Sequence, residues 1–254
     1  MNFVSLLLRA GAAVLILLAS VFAKAAEIRV TASPAFSAVF ALLGPRFERA
    51  TGHTLSIQYG LVAAQKQQIA AGTIDIAIVP SPVLDDAIEQ GRISAATRPL
   101  LARVILGVGV RAGARKPDLT SLESFKRTLL DAKSVSYVTD EPTGKRIGKA
   151  FEGLGIGDAM KVKTRSEEST ARVWHDVANG DVEMGFGFTS NALSARGVEL
   201  AGAFPPELQY SVVMAAGVAN SARQPDAAKA LISYLLTAEA VAVMKTKGLE
   251  PATP

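Results

Sequence analysis

The chain has 254 residues, with 27 Lys and Arg against 23 Asp and Glu, two histidines and no cysteine. The lack of cysteine excludes a disulfide framework and thiolate zinc sites, and His53 and His175 do not have the spacing of metal ligands. The positive excess is small, and no basic stripe with interleaved aromatic residues occurs, so nucleic acid is not an expected partner.

The N-terminus has the pattern of an export signal. Arg9 supplies a positive charge, residues 10–22 are almost entirely apolar, and Ala23-Lys24-Ala25 is a small-x-small cleavage sequence. The apolar run is short for a membrane span, and a retained membrane anchor is the alternative. We therefore expect residues 1–25 to be a cleaved signal peptide and the mature protein to start near Ala26 in the periplasm.

Strand and helix patterns alternate along the first half of the chain. The strand patterns cover 28–31, 54–59, 74–79 and 103–110, and the helical patterns cover 36–47, 63–71 and 82–90. Gly72 and Gly91 follow two of these helices, at the position where glycine is favoured. The run 74–79 is short and nearly all apolar, which is typical of a strand buried on both faces.

The alternation continues to the C-terminus. Strands are predicted at 134–138, 161–163, 181–188 and 209–218, and helices at 120–130, 143–154, 170–178, 191–195, 225–236 and 238–247. Thr120-Ser121-Leu122-Glu123 is interpreted as a capping box at the start of helix 120–130. Strands that alternate with helices of this length predict an α/β protein with mainly parallel sheets flanked by helices.

Ser33 stands where the first strand ends and the first helix begins. Followed by Pro34, it is a good helix N-cap, and that role needs no ligand. Open α/β sheets also bind ligands at such junctions, because helix N-termini there present unpaired N–H groups and a partial positive charge. An anion bound in this way needs neither a metal nor a catalytic residue.

Two more junctions have this form. Gly60-Leu61-Val62 follows the strand 54–59, and Thr143-Gly144-Lys145 follows the strand 134–138. In the second of them, the threonine offers a hydroxyl, the glycine allows close approach of the backbone, and the lysine adds positive charge. The alternative for this stretch is an ordinary loop with solvated charges.

Four segments carry a family pattern. They are IRVTASPAFSAVFALLGPRFERATG, AAQKQQIAAGTIDIAIVPSP, NGDVEMGFGFTSNA and RQPDAAKALISYLLTAEAVAVMKTKGLEP, of which the last is the most specific. In these segments the chain resembles the type II periplasmic solute-binding proteins of ABC importers, and most closely the molybdate- and tungstate-binding family. The resemblance covers nearly all of the mature chain. It implies two lobes with the ligand in the cleft between them, lobe 1 comprising residues 26–104 plus 208–254 and lobe 2 residues 105–207.

The resemblance also implies roles for single residues. In the family, a serine at the position of Ser33 binds the ligand, and a helix that begins here at Thr170 and Ala171 directs an N–H group at it. Ser81, between two prolines at the end of the third strand, can line the cleft, although as a helix N-cap it needs no ligand.

This chain departs from the family at several of the implied ligand positions. The family usually has a serine pair near Leu61 and Val62, a tyrosine at the position of Phe188 and an aspartate at that of Asn191. The hydroxyl donors expected at Val62 and Phe188 are therefore missing, whereas the backbone N–H groups of residues 60–63 remain. The cleft is predicted to be apolar on one side, which suits an organic carboxylate at least as well as molybdate.

We expect a monomer that captures a small anion, either a molybdate-like oxyanion or a small organic carboxylate, for the permease of an ABC transporter. The alternative is a periplasmic isomerase of a small polycarboxylate such as aconitate, built on the same scaffold. Its candidate acid–base groups are Lys145, Asp140, Glu141 and His175. A third possibility is a binding protein that serves a sensor. None of these functions requires a bound cofactor.

Overall fold

The computed structural model describes residues 25–252. The predicted signal peptide lies outside this range, apart from Ala25. The strands are β1 (Glu27–Ala32), β2 (Thr54–Tyr59), β3 (Ile76–Pro80), β4 (Leu100–Arg111), β5 (Val135–Tyr137), β6 (Thr164–Ser166), β7 (Met184–Phe188), β8 (Val198–Ala203), β9 (Ser211–Val218) and β10 (Glu250–Pro251).

Helices alternate with these strands, as the sequence predicts for an α/β protein. The α-helices are α1 (Ser37–Thr51), α2 (Val62–Ala71), α3 (Ser81–Glu89), α4 (Leu122–Asp131), α5 (Pro142–Gly153), α6 (Gly157–Lys161), α7 (Thr170–Asn179), α8 (Thr189–Ser194), α9 (Pro225–Leu235) and α10 (Ala238–Thr246). Short 3-10 helices cover Pro34–Phe36, Ala95–Thr97 and Pro206–Leu208.

The predicted capping box is displaced by one residue. Ser121, and not Thr120, is the N-cap of α4; its Oγ accepts from Ser124 N–H at 3.1 Å, while Ser124 Oγ accepts from Ser121 N–H at 3.0 Å. The Thr120 hydroxyl is held in the preceding turn, where it donates to Asp118 at 2.7 Å. Competition from this local bond explains why the next residue caps the helix.

The predicted strands need correction at three places. The strand predicted at 161–163 is wrong, because α6 extends to Lys161 and β6 begins only at Thr164. Met160 of α6 is 1% exposed, so burial of its side chain in the core favours the helix there. β8 and β10 were not predicted: β8 has no regular alternation of apolar and polar residues, and β10 has two residues.

β4 belongs to two sheets. Its residues 100–105 pair antiparallel with β9, and its residues 106–110 pair antiparallel with β7. The first sheet has the order β2-β1-β3-β9-β4 and the second β4-β7-β5-β6, with β8 and β10 also paired to β4. Strands β2-β1-β3 and β7-β5-β6 are parallel, whereas each antiparallel pair includes β4 or β9.

Helices cover both faces of each sheet and pack on it through hydrophobic side chains. In the first lobe, α1, α9 and α10 cover one face, and α2 and α3 cover the other. In the second lobe, α4, α5 and α6 cover one face, and α7 covers the other. Val104 packs in a first-lobe core and Leu106 in a second-lobe core. Because the cores separate between these residues, we propose that the lobes divide at the boundaries that the resemblance implies.

Two segments connect the lobes near the cleft, β4 and the stretch before β9. The Gln209 side chain joins them: its Oε1 accepts from Leu106 N–H at 2.8 Å, and its Nε2 donates to the carbonyl oxygens of Leu106 and Phe204. These bonds tie the two connections together where the chain passes between lobes.

Within residues 25–252, no single helix has the length and apolar composition to cross a membrane. The pair α9 and α10, bent by 65°, meets that criterion only when its two helices are taken together. Leu231, Leu235 and Met244 of this pair are buried in the first-lobe core.

Candidate functional site

Two adjoining cavities occupy the cleft at the carboxyl ends of the parallel strands. The inner chamber, about 550 Å³, is lined by the ends of β3, β5 and β7 and the starts of α2 and α5. The outer chamber, about 950 Å³, is lined by the loop after β2 and by α7. Residues that line both chambers are Pro34, Leu61, Glu141, Thr170 and Asn191.

The structure brings together the predicted ligand residues, with one exception. Those in the inner chamber are Ser33, Leu61, Val62, Ser81, Thr143, Gly144, Thr170 and Phe188. Those in the outer chamber are Gly60, Leu61, Thr170 and Ala171. Lys145 is exposed and, within the described part of the chain, belongs to neither lining.

Ser33 is a helix cap that also faces the inner chamber. Its backbone N–H donates to Ile78 O of β3 at 2.9 Å, and its Oγ accepts from Ala35 N–H at 3.4 Å. The residue is 8% exposed. Because Oγ is the acceptor in the capping bond, the hydroxyl hydrogen is not used there and can be donated to a ligand.

The start of α2 faces a carboxylate from the opposite lobe. Leu61 is the N-cap of this helix and makes no side-chain capping bond. Instead, Glu141 Oε2 accepts from Val62 N–H at 3.4 Å across the cleft. A negatively charged group of the protein thus lies at a position where the sequence predicts an anion.

The start of α5 depends on a glycine. A Cβ added to Gly144 would collide with Val138 O and come within 2.8 Å of Thr139 Cα, at the end of the strand β5. Only glycine therefore lets the first turn of α5 pack this closely on that loop. The tight contact positions Thr143 and the first-turn N–H groups at the inner chamber.

The start of α7 lies beside the outer chamber. Ser169 caps the helix through Oγ, which accepts from Arg172 N–H at 3.2 Å. Thr170 lines both chambers and Ala171 only the outer one. First-turn N–H groups have no partner within their own helix, so those not capped can donate to a ligand.

Trp174 of α7 lies on a glycine surface formed by β4 and β7. A Cβ at Gly109, Gly185 or Gly187 would come within 2.5, 2.7 or 3.0 Å of the indole ring, so these glycines make room for it. Trp174 is 4% exposed and lines the outer chamber, and its Nε1 has no hydrogen-bond partner among residues 25–252. An unpaired buried N–H costs free energy, which makes this group a candidate donor to a ligand.

Ser81 lines the inner chamber, but its hydroxyl is already engaged. Ser81 is the first residue of α3 and not its cap, and its Oγ accepts from Arg98 at 2.7 Å and contacts Asp85 at 3.5 Å. The hydrogen bond from the Arg98 side chain lowers the pKa of Asp85. The Ser81 hydroxyl is thus held by this ion pair, which weakens its candidacy as a ligand donor.

Several lining residues were not identified from the sequence. Tyr137 ends β5, and Tyr210 lies just before β9 with Arg146 Cζ 5.2 Å from its ring centroid. Burial raises the pKa of Tyr137 further above neutral pH, so its hydroxyl is protonated and can donate. The rule that strand ends face the ligand indicates Tyr137, whereas no local pattern indicates Tyr210.

The inner chamber combines polar groups at helix starts with an extended apolar wall. Its apolar side chains are those of Leu61, Val62, Val83, Val138, Ile147, Val173, Phe186, Phe188, Val212 and Val213. Lys66 lines it too, but its Nζ is paired with Asp86 at 2.9 Å. Within residues 25–252, no group of three His, Cys, Asp or Glu residues is placed to hold a metal ion.

A protein-family model and several known proteins match most of this chain. A protein-family model described as "Bacterial extracellular solute-binding protein" matches residues 28–250. Aconitate isomerase of a Pseudomonas species is 26% identical over 216 residues, which cover 82% of this chain and 82% of that protein. The molybdate-binding protein ModA of Azotobacter vinelandii is 25% identical over 234 residues, which cover 89% of this chain and 90% of that protein.

A solved structure shares the fold. A periplasmic molybdate-binding protein of Azotobacter vinelandii superposes with a TM-score of 0.75 at 21% sequence identity, covering 90% of this chain and 100% of that one. At this identity the likeness concerns the fold alone, and it confirms the two-lobed periplasmic-binding-protein fold that the sequence predicts.

Proposed function

The chain belongs to the bacterial extracellular solute-binding proteins of type II, and on that premise we propose that it captures a small organic carboxylate for the permease of an ABC importer. The observation that carries the choice of ligand is the inner chamber, where the hydroxyl groups of Ser33 and Thr143 and the first-turn N–H groups of Thr143 and Gly144 lie opposite an apolar wall. A carboxylate attached to an apolar body matches both sides of this chamber.

A tetrahedral oxyanion matches the chamber less well. Such an ion needs donors around all four of its oxygens, and buried acceptors without donors are unfavourable. Val62 and Phe188 line the chamber with side chains that cannot donate, and Glu141 adds acceptor oxygens. We therefore propose that molybdate and tungstate bind more weakly than an organic carboxylate.

The site of action follows from the N-terminal sequence and the family. We propose that residues 1–25 are removed on export and that the mature protein acts as a monomer in the periplasm. Mass spectrometry of the protein from its host is expected to show a first residue at or within two residues of Ala26, whereas an intact Met1 would contradict export by cleavage.

A ligand screen tests the proposed class. A ligand that binds only the folded state at about 100 times its dissociation constant stabilises the protein by about 2.7 kcal/mol, which a thermal-shift assay detects. We expect one or more small carboxylates to raise the melting temperature, and molybdate, tungstate and sulfate to do so only weakly. Nanomolar binding of molybdate by calorimetry would contradict the choice of ligand but not the transport role.

The second candidate function is isomerisation of a small polycarboxylate, such as aconitate. Of the four acid–base candidates, Glu141 and His175 line the cleft, whereas Asp140 and Lys145 are exposed and outside its described lining. Moving a double bond by one carbon requires a base to remove a C–H proton and an acid to return one. His175 Nδ1 lies 3.2 Å from Asp176 Oδ1, a contact that can orient the imidazole.

A single measurement distinguishes the two candidate functions. NMR of cis-aconitate in D2O with catalytic amounts of the protein is expected to show neither trans-aconitate nor deuterium incorporation beyond the protein-free rate. Turnover abolished by His175→Ala or Glu141→Gln would instead support the isomerase.

A further inference from the structure

We infer that Glu141 selects the ligand, and that the ligand carries a hydrogen-bond donor, as a hydroxyl or ammonium group, beside its carboxylate. The inference rests on the proposed function and narrows its ligand class. Three features carry it: the direction of the Glu141 side chain, its partner in the opposite lobe, and the balance of charge in the lining of the cleft.

The local sequence leaves the Glu141 side chain available to the cleft. Glu141 is the N-cap of α5 but makes no capping bond to that helix, and Pro142 at the first helical position has no N–H to offer. The side chain instead reaches across to α2, where Oε2 accepts from Val62 N–H at 3.4 Å. It lines both chambers, so a ligand that spans them passes next to this carboxylate.

The contact to Val62 is long for a hydrogen bond. Within residues 25–252 it is the only hydrogen bond of the Glu141 side chain, and no cation lies within salt-bridge distance of it. A carboxylate of this kind has unused acceptor capacity, because its two oxygens can accept about four hydrogen bonds. A donor on the ligand is the partner that satisfies it.

The charges around the cleft support the same ligand chemistry. The charged side chains that line the two chambers are Lys66 and Arg196 as cations and Asp86, Glu141 and Glu168 as carboxylates. Lys66 is already paired with Asp86. A lining with more carboxylates than cations repels dianions and trianions, and it tolerates one ligand carboxylate held by helix N-termini.

These features together define the ligand by its chemistry. Its carboxylate accepts from the starts of α5 and α7, its donor faces Glu141 at the junction of the chambers, and its apolar part lies along the inner wall. Hydroxy acids and amino acids share this chemistry. An oxyanion with acceptor oxygens only, or a polycarboxylate, places negative charge against Glu141.

The test uses matched pairs of probe compounds on the mature protein and on Glu141→Gln. Butanoate, 2-hydroxybutanoate and 2-aminobutanoate form one series, and 4-methylpentanoate, 2-hydroxy-4-methylpentanoate and leucine form a larger one. Glutamine keeps the shape of the side chain and an oxygen that can accept from Val62 N–H, but removes the charge. Calorimetry measures each affinity, and the melting temperature verifies that the variant is folded.

We expect the donor-bearing member of a series to bind wild-type protein about ten- to a hundredfold more tightly than its unsubstituted partner, because a hydrogen bond to a charged group is strong. Glu141→Gln is expected to remove most of this preference and to strengthen the binding of molybdate. Glu152→Gln is the matched control, since Glu152 is an exposed carboxylate on the same helix α5 and belongs to neither described chamber lining. It is expected to leave the preference in place.

The possible failures are distinguishable. If unsubstituted and donor-bearing compounds bind wild type equally, or if the preference survives in Glu141→Gln, the role of Glu141 is wrong while the carboxylate class stands. If wild type binds molybdate tightly and none of the carboxylates, or binds nothing in the panel, both proposals are wrong.

Discussion

We propose that Ser33 is both a helix cap and a ligand contact, and these two roles predict different effects of its substitution. As a cap it satisfies Ala35 N–H, and as a cleft residue it presents its hydroxyl hydrogen to the inner chamber. A cap alone affects the stability of the fold, whereas a ligand contact affects affinity. The two roles are compatible, because one uses the oxygen as acceptor and the other uses the hydrogen.

Ser33→Ala is expected to weaken binding of a carboxylate found by screening about ten- to a hundredfold, because a hydrogen bond to a charged acceptor contributes about 1.5–3 kcal/mol. Loss of the cap is expected to lower the free energy of unfolding by about 1 kcal/mol in addition. Calorimetry measures the affinity, and urea denaturation measures the stability.

Thr237 provides a control for the cap alone. It caps α10 through Oγ1, which accepts from Ala240 N–H at 3.3 Å, and it belongs to neither described chamber lining. Thr237→Ala is expected to lose at least as much stability, because the Thr237 hydroxyl also donates to Tyr234 O at 2.8 Å, and to keep its affinity. An affinity of Ser33→Ala equal to that of Thr237→Ala would restrict Ser33 to the capping role.

At the scale of secondary-structure elements, Asp75 connects β1, β3 and α9. The carboxylate is completely buried just before β3; it accepts from Arg29 N–H at 2.9 Å and from Arg29 Nε at 2.9 Å in β1. It also accepts from Arg223 N–H at 2.6 Å, at the entry to α9. Burial opposes ionisation of Asp75, but the hydrogen bonds from Arg29 and Arg223 outweigh it, so the pKa of Asp75 lies below its ordinary value.

Asp75→Asn is expected to destabilise the fold by about 3–5 kcal/mol at neutral pH, because it leaves the partly buried Arg29 without its counter-charge. A carboxylate with a lowered pKa stabilises the folded state above its unfolded pKa of about 3.9. This stabilisation is lost as the pH falls from there through the lower folded pKa. The difference between wild type and variant in urea unfolding is therefore expected to be constant above pH 5 and to shrink below pH 4.

The exposed surface pair of Asp158 and Lys161 serves for comparison. Asp158→Asn is expected to leave the free energy of unfolding nearly unchanged, as is usual for surface ion pairs. A difference for Asp75→Asn that stays the same at every pH would show that packing, and not charge, explains its effect.

On the scale of the whole molecule, the two lobes have separate cores and are connected by β4 and the stretch before β9. A ligand that accepts from Ser33 in the first lobe and from the starts of α5 and α7 in the second joins the lobes. Such bridging favours a closed arrangement through its differential contacts. The hinge is expected near Ile105 and Gln209, where the cores separate and the two connections are hydrogen-bonded.

Small-angle scattering tests this closure. Saturation with a carboxylate found by screening is expected to lower the radius of gyration, because the cleft narrows around it. Sodium chloride at the same ionic strength controls for salt. An unchanged radius at saturation would mean that this ligand binds without bringing the lobes together.

The sequence by itself determined the α/β class, most of the helices and strands, and the junctions where Ser33, Val62 and Thr143 meet the cleft. These depend on interactions between residues near each other in the chain, such as apolar periodicity and the short-range bonds of helix ends. The errors at 161–163 and in β8 occur where tertiary contacts, through Met160 and the edge of β4, outweigh local preference.

Only the tertiary structure decided which residues contact each other in and around the cleft. Glu141 and Val62 are 79 residues apart, and Ser81 is engaged by Arg98 only because α3 and the segment before β4 fold together. The first contact depends on how β4 and β9 bring the two lobes to face each other, and the second on packing within the first lobe. No periodicity or cap near these residues encodes either arrangement. The same holds for the unpaired indole of Trp174, whose surroundings come from glycines on β4 and β7.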